Sequence, residues 1–174
     1  LEFRRVLFRS IFGRGSEEIE HAESFGIPTF VVPGISSSIA VPAYQGISLT
    51  KRGVSESFWV ITGTTSARKL SDDVQLAAKS TATVVILMGM SKLAQIVALF
   101  QEESKGETPI AIIQNGTTPE ERIGVGTIDT IEAVVAAHNL SNPAIIVIGE
   151  VVKESNKLKG FYEEFIVASG RDLT

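Results

Sequence analysis

The 174 residues suffice for one ordinary domain or two small ones, and with 44% hydrophobic and 21% charged residues they can build a packed core. A net charge of −4 argues against a nucleic-acid binder, which normally needs a cationic face to neutralise phosphate. The absence of cysteine excludes disulfides, thiolate zinc sites, Fe–S clusters and a cysteine nucleophile.

Residues 1–10 are basic and apolar, but arginines interrupt any signal-peptide core, and the segment reads as a non-native or junction piece. No apolar run reaches the ~18–20 residues of a membrane-spanning helix, and a cytoplasmic enzyme is the simplest expectation. Residues 16–24 predict a helix with Ile19 and Ala22 on one face and Glu17, Glu18, Glu20 and Glu23 on the others. Gly26 is the expected C-cap, Pro28 prevents continuation, and residues 27–32 are expected as a short strand. Pro33-Gly34 then turns into Ser36-Ser37-Ser38 and a short helix.

Residues 46–53 predict an interdomain hinge, placed at 48–54 in the division into domains. Beyond it, apolar runs predict strands over 58–62, 83–88, 110–114, 122–127 and 144–148. Helices are predicted over 70–79, over 92–103 with Ser91 as N-cap, and over 130–139 capped by Asp129. Strands alternate with helices, and several are unbroken Val/Ile/Leu runs. That pattern indicates an α/β protein whose sheet is covered on both faces. Residues 153–159 read as a solvated segment and 161–174 as a tail.

The residue types leave several chemical roles open. Ser36-Ser37-Ser38 at a strand end is either a plain helix start or a ligand site built from hydroxyls and free amides. Met88 is either core filler or a soft thioether against a ring, and Gly116 either a turn glycine or a place of close backbone approach. Arg14 either pairs with a substrate carboxylate or ties the helix to the cleft. Lys51 and Arg52 are a solvated loop pair or carboxylate contacts, and Tyr44 packs at the domain junction or touches substrate. His21 and His138 are far apart in sequence, so no metal site is expected. No phosphate loop, Gly-x-Ser-x-Gly elbow or His-Glu-x-x-His motif is present.

The block from Val31 through Pro33-Gly34-Ile35-Ser36-Ser37-Ser38 and Pro42-Ala43-Tyr44 to Gly53 resembles the central signature of the tetrapyrrole (corrin/porphyrin) methylases. Further pieces follow in family order. They are Ile11-Phe12-Gly13-Arg14-Gly15-Ser16, Leu87-Met88-Gly89, Pro109 to Thr117, and Pro143 to Val152. Within the family the match is to the branch acting on uroporphyrinogen III.

The resemblance implies a two-domain fold with S-adenosylmethionine (SAM) between the domains. Residues 11–47 are then the remnant of an N-terminal α/β domain, and 55–160 the C-terminal mixed-sheet α/β domain. Ile11 lines the cofactor pocket, Ser36 and Ser37 face the methionine end of SAM, and Met88 and Gly116 contact its adenosine. Arg14, Tyr44 and Lys51 are the implied substrate contacts. The implied reaction is SAM-dependent C-methylation of uroporphyrinogen III to precorrin-2 by a homodimer without a metal.

The family's Gly-Gly-Asp-Pro loop is not found before Ile11, where Arg5 to Ser10 stands instead. The catalytic groups are expected in that early part, so the chain is expected to be a fragment with little activity alone. Alternatives are a later corrin-ring methyltransferase of the same fold and a non-catalytic binding or dimerisation module.

Overall fold

The computed structural model describes residues 11–160. Its first helix, α1 (Gly15–Ser24), buries no residue and carries Glu17 and Glu18 in its first turn, where they face the positive helix end. The expected strand over 27–32 does not form. Phe30 is 90% exposed, and Val31 and Val32 are each 69% exposed. Backbone pairing needs a neighbour, and among the described residues no strand lies beside this segment. Helix α2 (Ser37–Tyr44) starts as expected, with Ser36 in extended conformation accepting the Ser38 N–H at 3.3 Å.

The rest forms one five-stranded sheet in the order β1-β2-β5-β3-β4. The strands are β1 (Phe58–Thr62), β2 (Thr83–Leu87), β3 (Pro109–Gln114), β4 (Arg122–Thr127) and β5 (Ala144–Ile148). β1 and β2 are parallel, whereas β5 runs antiparallel to both β2 and β3, and β3–β4 is antiparallel. This is the mixed α/β architecture expected, and both faces are covered. One face buries Val84, Ile86, Ile110, Ile112, Ile146 and Ile148 under α3 (Asp73–Lys79), α4 (Leu93–Glu102) and α5 (Ile131–His138). The other buries Val85, Ala111, Ile113, Ile145 and Val147 against Val41, Ile47, Val151, Val152 and Leu158. Alternate residues of each strand thus serve opposite cores.

On β4 the alternation includes Gly124, where a β-carbon would lie 2.6 Å from Leu140 Cδ1. The missing side chain lets the end of α5 approach the sheet. Arg122 reaches across from the same strand to donate to the His138 carbonyl at that helix end.

Three local expectations are corrected. Ser91 does not cap α4; it lies inside a 3-10 turn, Met90–Lys92, that precedes the helix. Asp129 does not cap α5, because its carboxylate accepts from Gln101 Nε2 at 2.7 Å. Residues 153–159 are not simply solvated. Leu158 is fully buried, and Ser155 donates from a buried position to the Gln45 carbonyl at 2.6 Å.

The segment expected as a hinge closes on itself. The Lys51 and Ser55 backbones exchange two hydrogen bonds of 2.9 Å each, around Gly53 at φ 78°. Residues 1–10 and 161–174, expected as junction and tail, lie outside the described residues.

Candidate functional site

Strand directions decide where a site can form. β1 and β2 are parallel, and β2 and β3 both oppose β5. The carboxyl ends of β1, β2 and β3 therefore open on one edge of the sheet, a usual ligand position in α/β proteins. A cleft of about 870 Å³ lies there. Thr62, Thr64, Thr65 and Ser66 line it from the end of β1, Met88 and Ser91 from the end of β2, and Asn142 from the approach to β5. Phe12, Arg14 and Glu17 close it from the α1 side.

The β1 and β2 exits are stitched together. Gly63 N–H donates to the Leu87 carbonyl at 2.7 Å, and Thr64 Oγ1 donates to the Met88 carbonyl at 2.8 Å. The two backbones run so close that a β-carbon on Gly63 would sit 2.5 Å from Gly89 Cα. Between these contacts Met88 adopts the left-handed region, φ 55°, which costs a non-glycine residue about 1–2 kcal/mol. Its side chain is half exposed and lines the cleft.

The wall has a definite polarity. Thr62 Oγ1 donates to the Thr64 carbonyl at 2.8 Å, Thr64 Oγ1 to Met88, and Thr65 Oγ1 to the Lys69 carbonyl at 3.2 Å. With those hydrogens committed, the three hydroxyl oxygens can only accept further bonds, and Thr65 Oγ1 already accepts the Lys69 N–H at 3.3 Å. Such a wall suits a ligand rich in donors, such as a ribose diol, an amine or a cation. The guanidinium at the mouth, Arg14, is already paired, since its Nε donates to Glu17 Oε2 at 2.9 Å. That bond holds the Glu17 carboxyl below its usual range and raises Arg14 further.

The cleft gathers some of the sequence-derived candidates and leaves others outside. Met88 and Arg14 line it; Ile11 does not, although the adjacent Phe12 does. Gly116 lies on the same sheet edge, in the turn after β3, but packs on α2, where a β-carbon would be 2.4 Å from Val41 Cγ1. Ser36 caps α2 and shares a 2.7 Å hydrogen bond with the buried Ser38, while Ser37 is exposed; neither lines this cleft. Tyr44 lies under the Lys157 ammonium, 4.6 Å from the ring centre.

Lys51 forms an ion pair with Glu154. The hydrogen bond and charge of Lys51 lower the Glu154 carboxyl pKa. His21 stands edge-on to Phe25, with ring centres 5.1 Å apart. Among the described residues no cluster of three His, Asp or Glu side chains could hold a metal ion. No helix among them is long and apolar enough to cross a membrane.

The hydroxyl wall is not among the sequence-derived candidates, yet its signal is present. Thr62-Gly63-Thr64-Thr65-Ser66 follows a Phe-Trp-Val-Ile run, the same strand–glycine–hydroxyl pattern that marks Ser36.

These features define a class: an α/β lobe with an open cleft at the carboxyl edge of its strands. The family model for tetrapyrrole (corrin/porphyrin) methylases matches residues 10–132. A uroporphyrinogen-III C-methyltransferase of Synechocystis is 46% identical over 152 residues, covering 86% of this chain and 58% of that protein. One from Methanocaldococcus jannaschii is 43% identical over 144 residues, covering 82% and 60%. The crystal structure of a Thermus thermophilus uroporphyrin-III C-methyltransferase complexed with S-adenosylhomocysteine superposes with a TM-score of 0.71 at 27% identity, covering 84% of this chain and 64% of that one.

The chain belongs to the tetrapyrrole methylase family, and its sheet domain matches the C-terminal domain of that fold. It spans somewhat over half the length of the curated relatives just described.

Proposed function

We propose that this chain forms the rear part of a methyltransferase that carries the methyl group of SAM to uroporphyrinogen III. The observation that carries this is the cleft at the sheet edge, with Met88 projecting into it and hydroxyl lone pairs along one wall. The ribose hydroxyls and adenine amine of SAM are donors that the Thr62 and Thr65 hydroxyls of this wall can accept, with Thr64 committed to Met88. A thioether packs well on the face of a purine. Gly116, on the same edge, is the second proposed adenosine contact, and Ile11, Ser36 and Ser37 are proposed toward the rest of the cofactor. Arg14 and Tyr44 remain the proposed tetrapyrrole side, with Lys51 available only if it leaves Glu154.

The bound donor supplies a sulfonium methyl. A nucleophilic pyrrole carbon takes that methyl as the C–S bond breaks toward sulfur, and the macrocycle releases a proton. Two rounds convert uroporphyrinogen III to precorrin-2. The protein's own contribution is alignment of the two reactants, which lowers the barrier without any group on the protein being consumed. The curated relatives at 43–46% identity support uroporphyrinogen III over a later corrin ring. The family resemblance also favours a homodimer, which sedimentation equilibrium tests.

Calorimetric titration of the 174-residue chain with S-adenosylhomocysteine is the first experiment, and a saturable 1:1 heat is expected. The second joins residues 11–160 behind the N-terminal segment of the Synechocystis relative and supplies SAM and uroporphyrinogen III. A red-shifted product spectrum is expected. Turnover of a later corrin precursor instead transfers the assignment to the other branch. No affinity for S-adenosylhomocysteine in either protein leaves only a binding or dimerisation module.

A further inference from the structure

We propose that Thr64 is a positioning residue: its hydroxyl, bonded to the Met88 carbonyl, holds Met88 in the left-handed conformation that presents its side chain to the cleft. The inference rests on the reading of this cleft as the methyl-donor site. Its starting point is a conformational outlier. Methionine has no side-chain group that stabilises φ 55° locally, unlike asparagine or aspartate. Such a residue persists where its surroundings over-determine it.

Those surroundings come from both sides of Met88. Before it, the Leu87 carbonyl accepts from Gly63 N–H at 2.7 Å. After it, Gly89 is wedged so tightly that a β-carbon would meet Ile86 Cγ2 and Ile146 Cδ1 at 2.9 Å. The carbonyl of Met88 itself is held by Thr64 Oγ1 at 2.8 Å. Thr64 is in turn held by Thr62, whose hydroxyl donates to the Thr64 carbonyl at 2.8 Å. Two hydroxyls thus relay the position of β1 to the exit of β2. Rotation of the Met88 peptide back to the ordinary region would break the bond from Thr64 Oγ1 to the Met88 carbonyl.

Three variants separate the possible roles. Thr64→Val keeps the shape and removes the donor, Thr64→Ser restores it, and Met88→Ala removes the side chain being positioned. Titrated with S-adenosylhomocysteine well below their melting temperatures, Thr64→Val is expected to bind about five- to tenfold more weakly, and Thr64→Ser within about twofold of wild type, as one hydrogen bond allows. The double variant Thr64→Val/Met88→Ala should bind no more weakly than Met88→Ala alone, because Thr64 acts through Met88.

Wild-type affinity in Thr64→Val overturns the inference. Additive losses overturn it too, since they assign Thr64 a direct ligand contact. Met88 shares its residue type only with Met90, so its methyl resonance can be followed in the ligand-free chain. Thr64→Val should shift that resonance and Thr64→Ser should leave it; no shift in either overturns the inference even without ligand. Failure of the wild-type chain to bind S-adenosylhomocysteine instead removes the functional reading beneath it.

Discussion

Residues 27–35 and β3 with β5 are built from similar letters and end in opposite states. Ile27, Phe30, Val31, Val32 and Ile35 are exposed, whereas Ile110, Ala111, Ile112 and Ile113 are fully buried. The difference is not propensity. β3 lies between β5 and β4, with both edges bonded and both faces covered. Residues 27–35 have neither a paired edge nor a covered face among the described residues. An apolar β-type run states a requirement for partners, and the fold decides whether they are supplied.

The largest test of this contrast compares two phenylalanines. Phe100 on α4 is 2% exposed and Phe30 is 90% exposed. Phe100→Ala should cost about 3–5 kcal/mol in chemical denaturation, through lost burial and a residual cavity. Phe30→Ala should stay within about 0.5 kcal/mol. A comparable loss at Phe30 would show that residues 27–35 acquire a covered face in solution.

Next come two glycines that serve different purposes. Gly63 faces the Gly89 backbone, which cannot step aside, so Gly63→Ala should cost about 1–3 kcal/mol and disrupt the cleft wall. Gly26, after α1, has φ 69°, and a β-carbon added there would meet nothing within 4 Å, so Gly26→Ala should cost only about 1 kcal/mol of local helix-end strain. Thermal melts give the first. Because α1 buries nothing, the second should appear as helical signal lost locally, with the main transition unmoved.

Much of the sheet domain is legible in the sequence because its strands are buried on both sides. Val84 to Leu87, Ile110 to Ile113 and Ile145 to Ile148 are unbroken apolar runs. The stripe Leu93, Ile96, Val97 and Phe100 likewise packs as its helical spacing indicates. Strand order is not legible, since the insertion of β5 between β2 and β3 follows from long-range pairing that no local pattern encodes. Helix starts are displaced where a tertiary partner claims the expected cap, as Gln101 does with Asp129. At the site, the strand–Met–Gly ending points to Met88, but its backbone conformation depends on a loop 24 residues away. The Thr62–Ser66 wall carries the same cue as the serine block, but it is not among the pieces that carry the family resemblance.

Met88 also sharpens the contrast between stability and use. Met88→Gly removes the left-handed penalty and little buried surface, because the side chain is half exposed. It should raise stability by about 1 kcal/mol while weakening binding of S-adenosylhomocysteine. Calorimetric melting and titration on one sample read both effects. Loss of stability without loss of binding would assign Met88 to the core instead of the cleft.

The smallest effect concerns how the connecting strip is fastened to the sheet domain. Two attachments compete: the buried Ile47 side chain and the exposed Lys51–Glu154 ion pair. Ile47→Ala should cost about 2–4 kcal/mol. The ion pair should contribute far less, because exposed pairs are screened by water and salt. Its contribution nevertheless has a defined pH signature. Lys51 holds the folded Glu154 carboxyl below its ordinary value of 4.5, first through the hydrogen bond and then through charge. The stabilisation is therefore fully present above the ordinary carboxylate range, and it fades as pH falls from there through the lowered folded value. Glu154→Gln should flatten that part of the acid limb: stability near neutral pH falls by the pair's small contribution, and stability in acid, where the carboxyl is protonated, stays unchanged. High salt should do the same to wild type. If Glu154→Gln lowers the denaturation midpoint as much as Ile47→Ala does, charge and not apolar packing fastens the strip.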